Sequence, residues 1–178
     1  MYEGWDSFYL LVGGAAGALI GLLFVVATLT RGRDRDSALR GASVYMSPLV
    51  LQLAVVLVIS ALATAPSIGV RTGAVIMGIC ALVAAATSAR VVYHLARGKI
   101  FATAHWTDLW CYGVATLVAD LALLGSAAAG WLVSREAAAE ACAISLVAIL
   151  LIAIRNAWDL VTWISAINNA GETPDAPS

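Results

Sequence analysis

Residues 8–29, FYLLVGGAAGALIGLLFVVATL, contain no charged side chain and are long enough to cross a lipid bilayer as one helix. The apolar core of a bilayer is about 30 Å thick, and about 20 helical residues span it. Four further stretches are long and apolar enough for the same role: residues 48–65, 70–92, 109–133 and 138–164. The sequence therefore predicts an all-α, polytopic integral membrane protein with five transmembrane helices.

The composition favours the same class. The chain has 178 residues, of which 62% are hydrophobic and 12% are charged, whereas soluble domains are about 45–50% apolar and about 25% charged. The net charge of −1, without a basic stripe that would neutralise phosphates, indicates no nucleic-acid partner. We expect residues 1–167 to form one transmembrane domain, and residues 168–178, which contain Pro, Gly and Asp, to form a disordered tail.

The basic residues of the loops predict the orientation in the membrane. They are concentrated on one side: Arg31, Arg33, Arg35 and Arg40 in the first loop, and Arg97 and Lys99 in the third. The second and fourth loops hold only Arg71 and Arg135. Because Lys and Arg accumulate on the cytoplasmic side, the N-terminus is predicted to lie outside and the C-terminal tail inside.

Three glycines in the first predicted helix, Gly13, Gly17 and Gly21, recur every four residues and so share one face. Small residues allow helices to approach closely, which favours helix association in lipid. The face has three interpretations: packing against another helix of the same chain, contact between copies in a homo-oligomer, or the lining of a narrow pore. The spacing does not choose among them.

Three ionised side chains, Asp120, Arg155 and Asp159, lie inside predicted spans. Each costs at least a few kcal/mol at membrane depth and needs a partner, water or a functional role. Counted from the inner ends of their helices, Asp120 and Arg155 lie at similar depths, ~16 and ~13 Å. We therefore expect them to form an ion pair, with Asp159, one turn from Arg155, sharing the guanidinium. Gln52 and Asn156 are expected to complete this polar seam.

The polar seam has two interpretations. In one, it is a structural clasp whose opposite charges fix the arrangement of the helices. In the other, Asp120 lines an aqueous or proton-conducting route, Arg155 tunes it, and Asp159, Asn156 and Gln52 line the cytoplasmic mouth. The seam occupies only the inner half of the predicted bundle, which fits a vestibule closed by an apolar gate better than a wide pore.

Metal binding and catalysis have little support in the sequence. His94, His105, Asp108 and Cys111 are candidate ligands near the third loop, but they lack the tight, repeated spacing of metal sites. We predict no metal and no cofactor. The histidines lie at the inner interface, away from the serines of the spans, and short loops leave no soluble domain for chemistry. The chain is therefore predicted not to be an enzyme.

The first span opens with WDSFY (residues 5–9), followed by GGAA (13–16) and GLLFV (21–25). Together with RNAWD (155–159) in the last span, these segments resemble a widespread group of small bacterial multi-span membrane proteins, some of which are labelled modulators of a membrane protease. The resemblance implies a multi-pass protein of the bacterial inner membrane. It carries no catalytic residues to this chain.

Two functional hypotheses follow. The first is a homo-oligomeric channel or transport protein for ions or protons, with membrane lipid as its surroundings. The second is a non-transporting accessory or regulatory subunit of a larger membrane complex, bound through the first loop and the small-residue faces. An odd number of spans favours the second hypothesis, because five helices do not divide into two equal inverted repeats.

Overall fold

The computed structural model describes residues 4–29, 35–66, 68–96, 109–132 and 134–170. Within these residues the fold is all-α, as predicted. The helices are α1 (Asp6–Leu29), α2 (Arg35–Thr64), α3 (Val70–Ala96), α4 (Ala115–Leu132) and α5 (Arg135–Ala170), and a π-helical segment, Leu109–Val114, leads into α4. Residues 31–34 and 97–108, which carry basic loop residues, and residues 171–178 of the predicted tail lie outside the described residues. Residues 168–170, also predicted to be disordered, form the end of α5 because the helix continues to Ala170.

Among the described residues, four helical segments are long and apolar enough to cross a membrane: Asp6–Thr28, Ser47–Thr64, Arg71–His94 and Arg135–Thr162. Helix α4 contributes a shorter apolar segment, Ala115–Ala129. Such helices are typical of a membrane-spanning protein, because each satisfies its own backbone hydrogen bonds while presenting apolar side chains to lipid.

Helix α2 begins earlier than the predicted span. It starts at Arg35 rather than at residue 48, so that Pro48 lies inside the helix and not at its first position. Pro48 lacks an N–H, and the helix loses one backbone hydrogen bond there. The preceding residues include Ala38, Leu39 and Ala42, which have high helix propensity. This propensity favours a helix that begins before Pro48 and continues past it. The helix ends at Thr64, before Pro66, as predicted.

Helix α5 is longer than predicted at both ends. It begins at Arg135, where the Ser134 hydroxyl accepts a hydrogen bond from the N–H of Ala137 at 3.1 Å. A serine in this position satisfies one of the free amides of the first turn. At its other end α5 continues past residue 164 to Ala170. The predicted span of residues 138–164 is therefore only part of this helix.

The helices pack so that α4 contacts α3 and α5, while α1 lies mainly against α2 and also touches α5. Helices α1 and α2 approach closely at Gly13, since a Cβ placed there would lie 2.8 Å from the Cβ of Ser60. A Cβ placed at Gly17 would lie 4.0 Å from Cδ1 of Leu57, whereas one at Gly21 would meet no described atom within 4 Å. Two of the three glycines therefore serve packing within the chain.

Candidate ion-binding site at Asp120

Asp120 of α4 is completely buried among α2, α3 and α4, with 0% of its surface exposed. Its Oδ2 accepts a hydrogen bond from the hydroxyl of Ser88 at 2.6 Å and another from Nε2 of Gln52 at 2.9 Å. The same Nε2 lies 3.1 Å from Ser88 Oγ, to which it also donates. We call Gln52, Ser88 and Asp120, one from each helix, the polar triad.

Two oxygen atoms of the polar triad have no hydrogen-bond partner: Oδ1 of Asp120 and Oε1 of Gln52. Buried polar atoms in proteins are nearly always hydrogen-bonded, and a buried acceptor without a donor costs about 1–3 kcal/mol. Both unpartnered atoms are acceptors. The triad therefore has an excess of acceptors over donors.

The predicted ion pair between Asp120 and Arg155 does not form. Arg155 points away from the core, with 43% of its side chain exposed, and its Nη2 lies 3.1 Å from Oδ2 of Asp159. The predicted contact between Arg155 and Asp159 is present, one helical turn apart. Within the described residues no basic side chain lies within ion-pair distance of Asp120, so an ionised carboxylate there has no compensating positive charge.

The face of α5 explains why the ion pair is missing. Residues buried in the core recur along α5 at alternating intervals of three and four: Ala139, Cys142, Leu146, Ile149, Ala153, Asn156 and Leu160. Asn156 lies on this buried stripe, and Arg155, one residue earlier, is rotated about 100° away from it. Depth along the helix suggested a partner for Asp120, but rotation around the helix decides which side chain points inward.

The helix that carries Arg155 extends beyond the predicted span at both ends. Arg155 lies 20 residues after Arg135, or about 30 Å along the helix, and 15 residues before Ala170. Its guanidinium and the Asp159 carboxylate pair with each other, and both side chains are partly exposed. Long charged side chains of this kind can extend along a helix towards polar surroundings.

Ser88 is the member of the triad that sequence reasoning missed. Hydroxyl side chains are common in membrane helices because they can bond to a carbonyl of their own helix, as Thr87 does with Val83 O at 2.9 Å. Ser88 follows Thr87 directly, yet it is buried and donates to another helix. The sequence signal was a small polar residue in the C-terminal half of α3, a feature too common in such helices to single out.

The remaining candidate residues do not join the triad. Asn156 is buried beside Arg155, whose Nη1 lies 3.5 Å from its Oδ1. Exposed His94 stacks edge-to-face on Tyr93. Residues 105 and 108 lie outside the described residues, as does the side chain of Cys111. In the described part of the chain, no three metal-binding side chains come together.

Comparison of the chain with protein-family models, with curated proteins and with solved structures finds no match. The resemblance carried by the first and last spans thus stays a prediction. The chemistry available to the protein follows from the triad itself. A buried carboxyl beside an amide oxygen and a hydroxyl can bind a proton or a small cation.

Proposed function

We propose that this chain is a multi-pass protein of the bacterial inner membrane that carries protons or small cations across it. Asp120 is the group that binds them. Five spans are proposed, because the 6-residue π-helical segment and the 18 residues of α4 are contiguous and together reach the length of a span. The unequal distribution of loop arginines and lysines supports an outside N-terminus and an inside C-terminus.

The observation that carries this proposal is the uncompensated carboxyl of Asp120 deep inside the bundle. Asp120 lies twelve residues before the end of α4 at Leu132, or about 18 Å, which is near the middle of a bilayer core. An isolated ionised carboxylate in such surroundings is strongly unfavourable. With Arg155 turned outward and no described basic side chain in contact with Asp120, we assign the compensating positive charge to a bound proton or cation.

A purely structural role for the triad has less support. A clasp that only fixed the helices would be expected to satisfy all of its polar atoms, since a partly satisfied buried network is less stable than an apolar core. Asp120 and Gln52 each leave one oxygen without a donor. Groups of this kind in native proteins often mark sites of binding or catalysis.

Buried polar side chains on both sides of Asp120 support a route. Thr116 lies one helical turn before Asp120 on α4, and Ser126 lies about two turns after it. Ser60 of α2 is also buried, and its Oγ has no hydrogen-bond partner. Polar groups thus occur at several depths of the bundle, as a path for a proton or a small ion requires.

Flux measured with purified protein in liposomes tests this proposal. We expect Asp120→Asn to reduce proton or cation flux to the level of empty liposomes, because the amide keeps the shape of the side chain but neither binds a proton nor carries charge. The matched control is Asp159→Asn, which removes an exposed carboxylate and should keep flux near that of the unchanged protein. Undiminished flux in folded Asp120→Asn protein would contradict the proposal.

We also propose that the protein self-associates. On α1, Gly14, Ala18 and Gly21 are exposed and follow one another at helical spacing, and a Cβ at either glycine would meet no described atom within 4 Å. Such a face allows another helix to approach closely. The same face also supports the alternative function, an accessory subunit that docks on a larger membrane complex. Loss of flux in Asp120→Asn separates the two functions, because an accessory subunit has no flux to lose.

A further inference from the structure

We infer that the species bound at the polar triad is a proton, held on Oδ1 of Asp120 and donated to the side-chain carbonyl of Gln52. This inference rests on the proposed function, whose ligand it narrows from protons or small cations to protons. It follows from the hydrogen-bond count of the triad and from the identity of its two unpartnered atoms.

The contact between Gln52 and Asp120 supplies one of the two hydrogen bonds that join a carboxylic acid and an amide when they pair. Nε2 of Gln52 donates to Oδ2 at 2.9 Å, so the amide and carboxyl groups already meet at one end. The atoms at their other ends, Oε1 and Oδ1, are the two acceptors without donors. A proton on Oδ1 makes that atom a donor. One proton then satisfies both atoms through a second hydrogen bond, as in a carboxylic acid paired with an amide.

A metal cation fits the triad less well. Nε2 of Gln52 lies within hydrogen-bonding distance of both Ser88 Oγ and Asp120 Oδ2, so an N–H donor occupies the space that a cation would need between these oxygens. Two oxygens of the triad then remain available, Oδ1 and Oε1. Hard divalent cations take about six to eight oxygen ligands, part of which can be water.

No other described ionisable side chain makes a hydrogen bond or an ion pair with Asp120. The described side chains of α2 and α4 include no further ionisable group. The groups on the other three helices are Asp6 and Tyr9 on α1, Arg71, Cys80, Arg90, Tyr93 and His94 on α3, and Arg135, Glu136, Glu140, Cys142, Arg155 and Asp159 on α5. Asp120 therefore binds or loses its proton without a charged neighbour in contact.

Proton binding and release make and break one O–H bond, at Oδ1 of Asp120. On binding, a hydronium ion breaks one O–H bond and transfers the proton to Oδ1, which leaves a water molecule and a neutral carboxyl. On release, the O–H bond breaks, the electron pair stays on Asp120, and the proton passes to water. The hydrogen bonds from Ser88 and Gln52 end on Oδ2 and not on Oδ1, so both protonation states can keep them. The site can therefore change its charge without rearranging the three helices.

Infrared spectroscopy of the full chain in lipid vesicles at neutral pH tests the inference. A protonated carboxyl has a C=O stretching band separate from the bands of ionised carboxylates, and it shifts in heavy water. We expect this band in the unchanged protein and in Asp159→Asn, and its loss in Asp120→Asn. Gln52→Leu removes the acceptor of the proposed O–H hydrogen bond, so the band should persist but move to higher frequency.

The outcomes separate this inference from the proposed function. Absence of the band in the unchanged protein overturns the inference, whether or not any variant folds. So does a shift of the carboxylate bands on addition of sodium or potassium that Asp120→Asn abolishes, because it identifies a cation as the ligand. The band without any flux in liposomes would support the bound proton and contradict transport. Flux without the band would support transport and contradict a proton bound at Asp120.

Discussion

The hydroxyl of Ser88 links the three helices of the site at the scale of single residues. It accepts a hydrogen bond from Gln52 and donates one to Asp120, so one small side chain orients both an amide and a carboxyl. Asp120 and Gln52 were recognisable in the sequence because each is a strongly polar residue in an apolar run. Their partner Ser88 was not, since serine is tolerated at almost any position of a membrane helix.

Ser88→Ala should destabilise the protein, whereas the neighbouring Thr87→Ala should not. Interhelical hydrogen bonds in membrane proteins contribute about 0.6 kcal/mol on average and up to about 1.7 kcal/mol. We expect the upper part of this range for Ser88, because its loss leaves Oδ2 of Asp120 with one donor. Thr87 is half-buried and bonds only to its own helix, so we expect a change within about 0.5 kcal/mol. Reversible unfolding of the two variants in mixed detergent micelles measures the difference, and equal effects would contradict a role for Ser88 in the triad.

At the scale of helices, the apolar lengths were predictable and the inward faces were not. In water, the apolar face of a helix marks the core, but lipid is itself apolar, and both faces of a membrane helix carry similar residues. On α5 the exposed residues Ile144 and Leu151 are as apolar as the buried Leu146 and Ile149. Hydrophobicity therefore could not show that Asn156 rather than Arg155 points inward.

The contact between α1 and α2 gives a prediction at this scale. Gly13→Ala should destabilise the protein by about 1–3 kcal/mol, the range for overpacking of a filled core, because the new methyl would lie 2.8 Å from Ser60 Cβ. Gly125→Ala in α4 is the matched control, since its methyl would meet no described atom within 4 Å and Gly125 is not on the proposed self-association face. Alanine also favours helix over glycine, so this control should be neutral or stabilising. Thermal unfolding in detergent compares them, and similar losses for both would show that α1 packs differently.

For the whole molecule, the sequence predicted an all-α membrane protein. The structure adds which helices contact one another and which of them bury side chains in the core. Helix α4, the shortest of the five helices described, lies against both α3 and α5 and carries the buried carboxyl. Length and composition identified the helices, because bilayer thickness sets both. The packing of the helices depends on contacts between residues far apart in the chain. Neither the length nor the composition of a helix gives information about these contacts.

Self-association is a prediction for the molecule as a whole. Gly14→Leu places a bulky side chain on the exposed face of α1, so it should lower the mass of the protein in mild detergent from that of an oligomer to that of a monomer. Ala86→Leu adds a comparable side chain on an exposed position of α3 and should leave the mass unchanged. A monomeric mass for the unchanged protein would contradict self-association, and an unaltered oligomer in Gly14→Leu would place the contact elsewhere.

The order of the triad along the chain has a consequence for biogenesis. Gln52 and Ser88 precede Asp120, so during synthesis the amide and the hydroxyl are translated before the carboxyl. Neutral polar groups enter lipid at lower cost than a carboxylate does. If the helices insert in chain order, both hydrogen-bond donors for the acidic side chain of α4 are in place before that helix arrives. The buried carboxyl would then meet its partners as soon as α4 packs against α2 and α3.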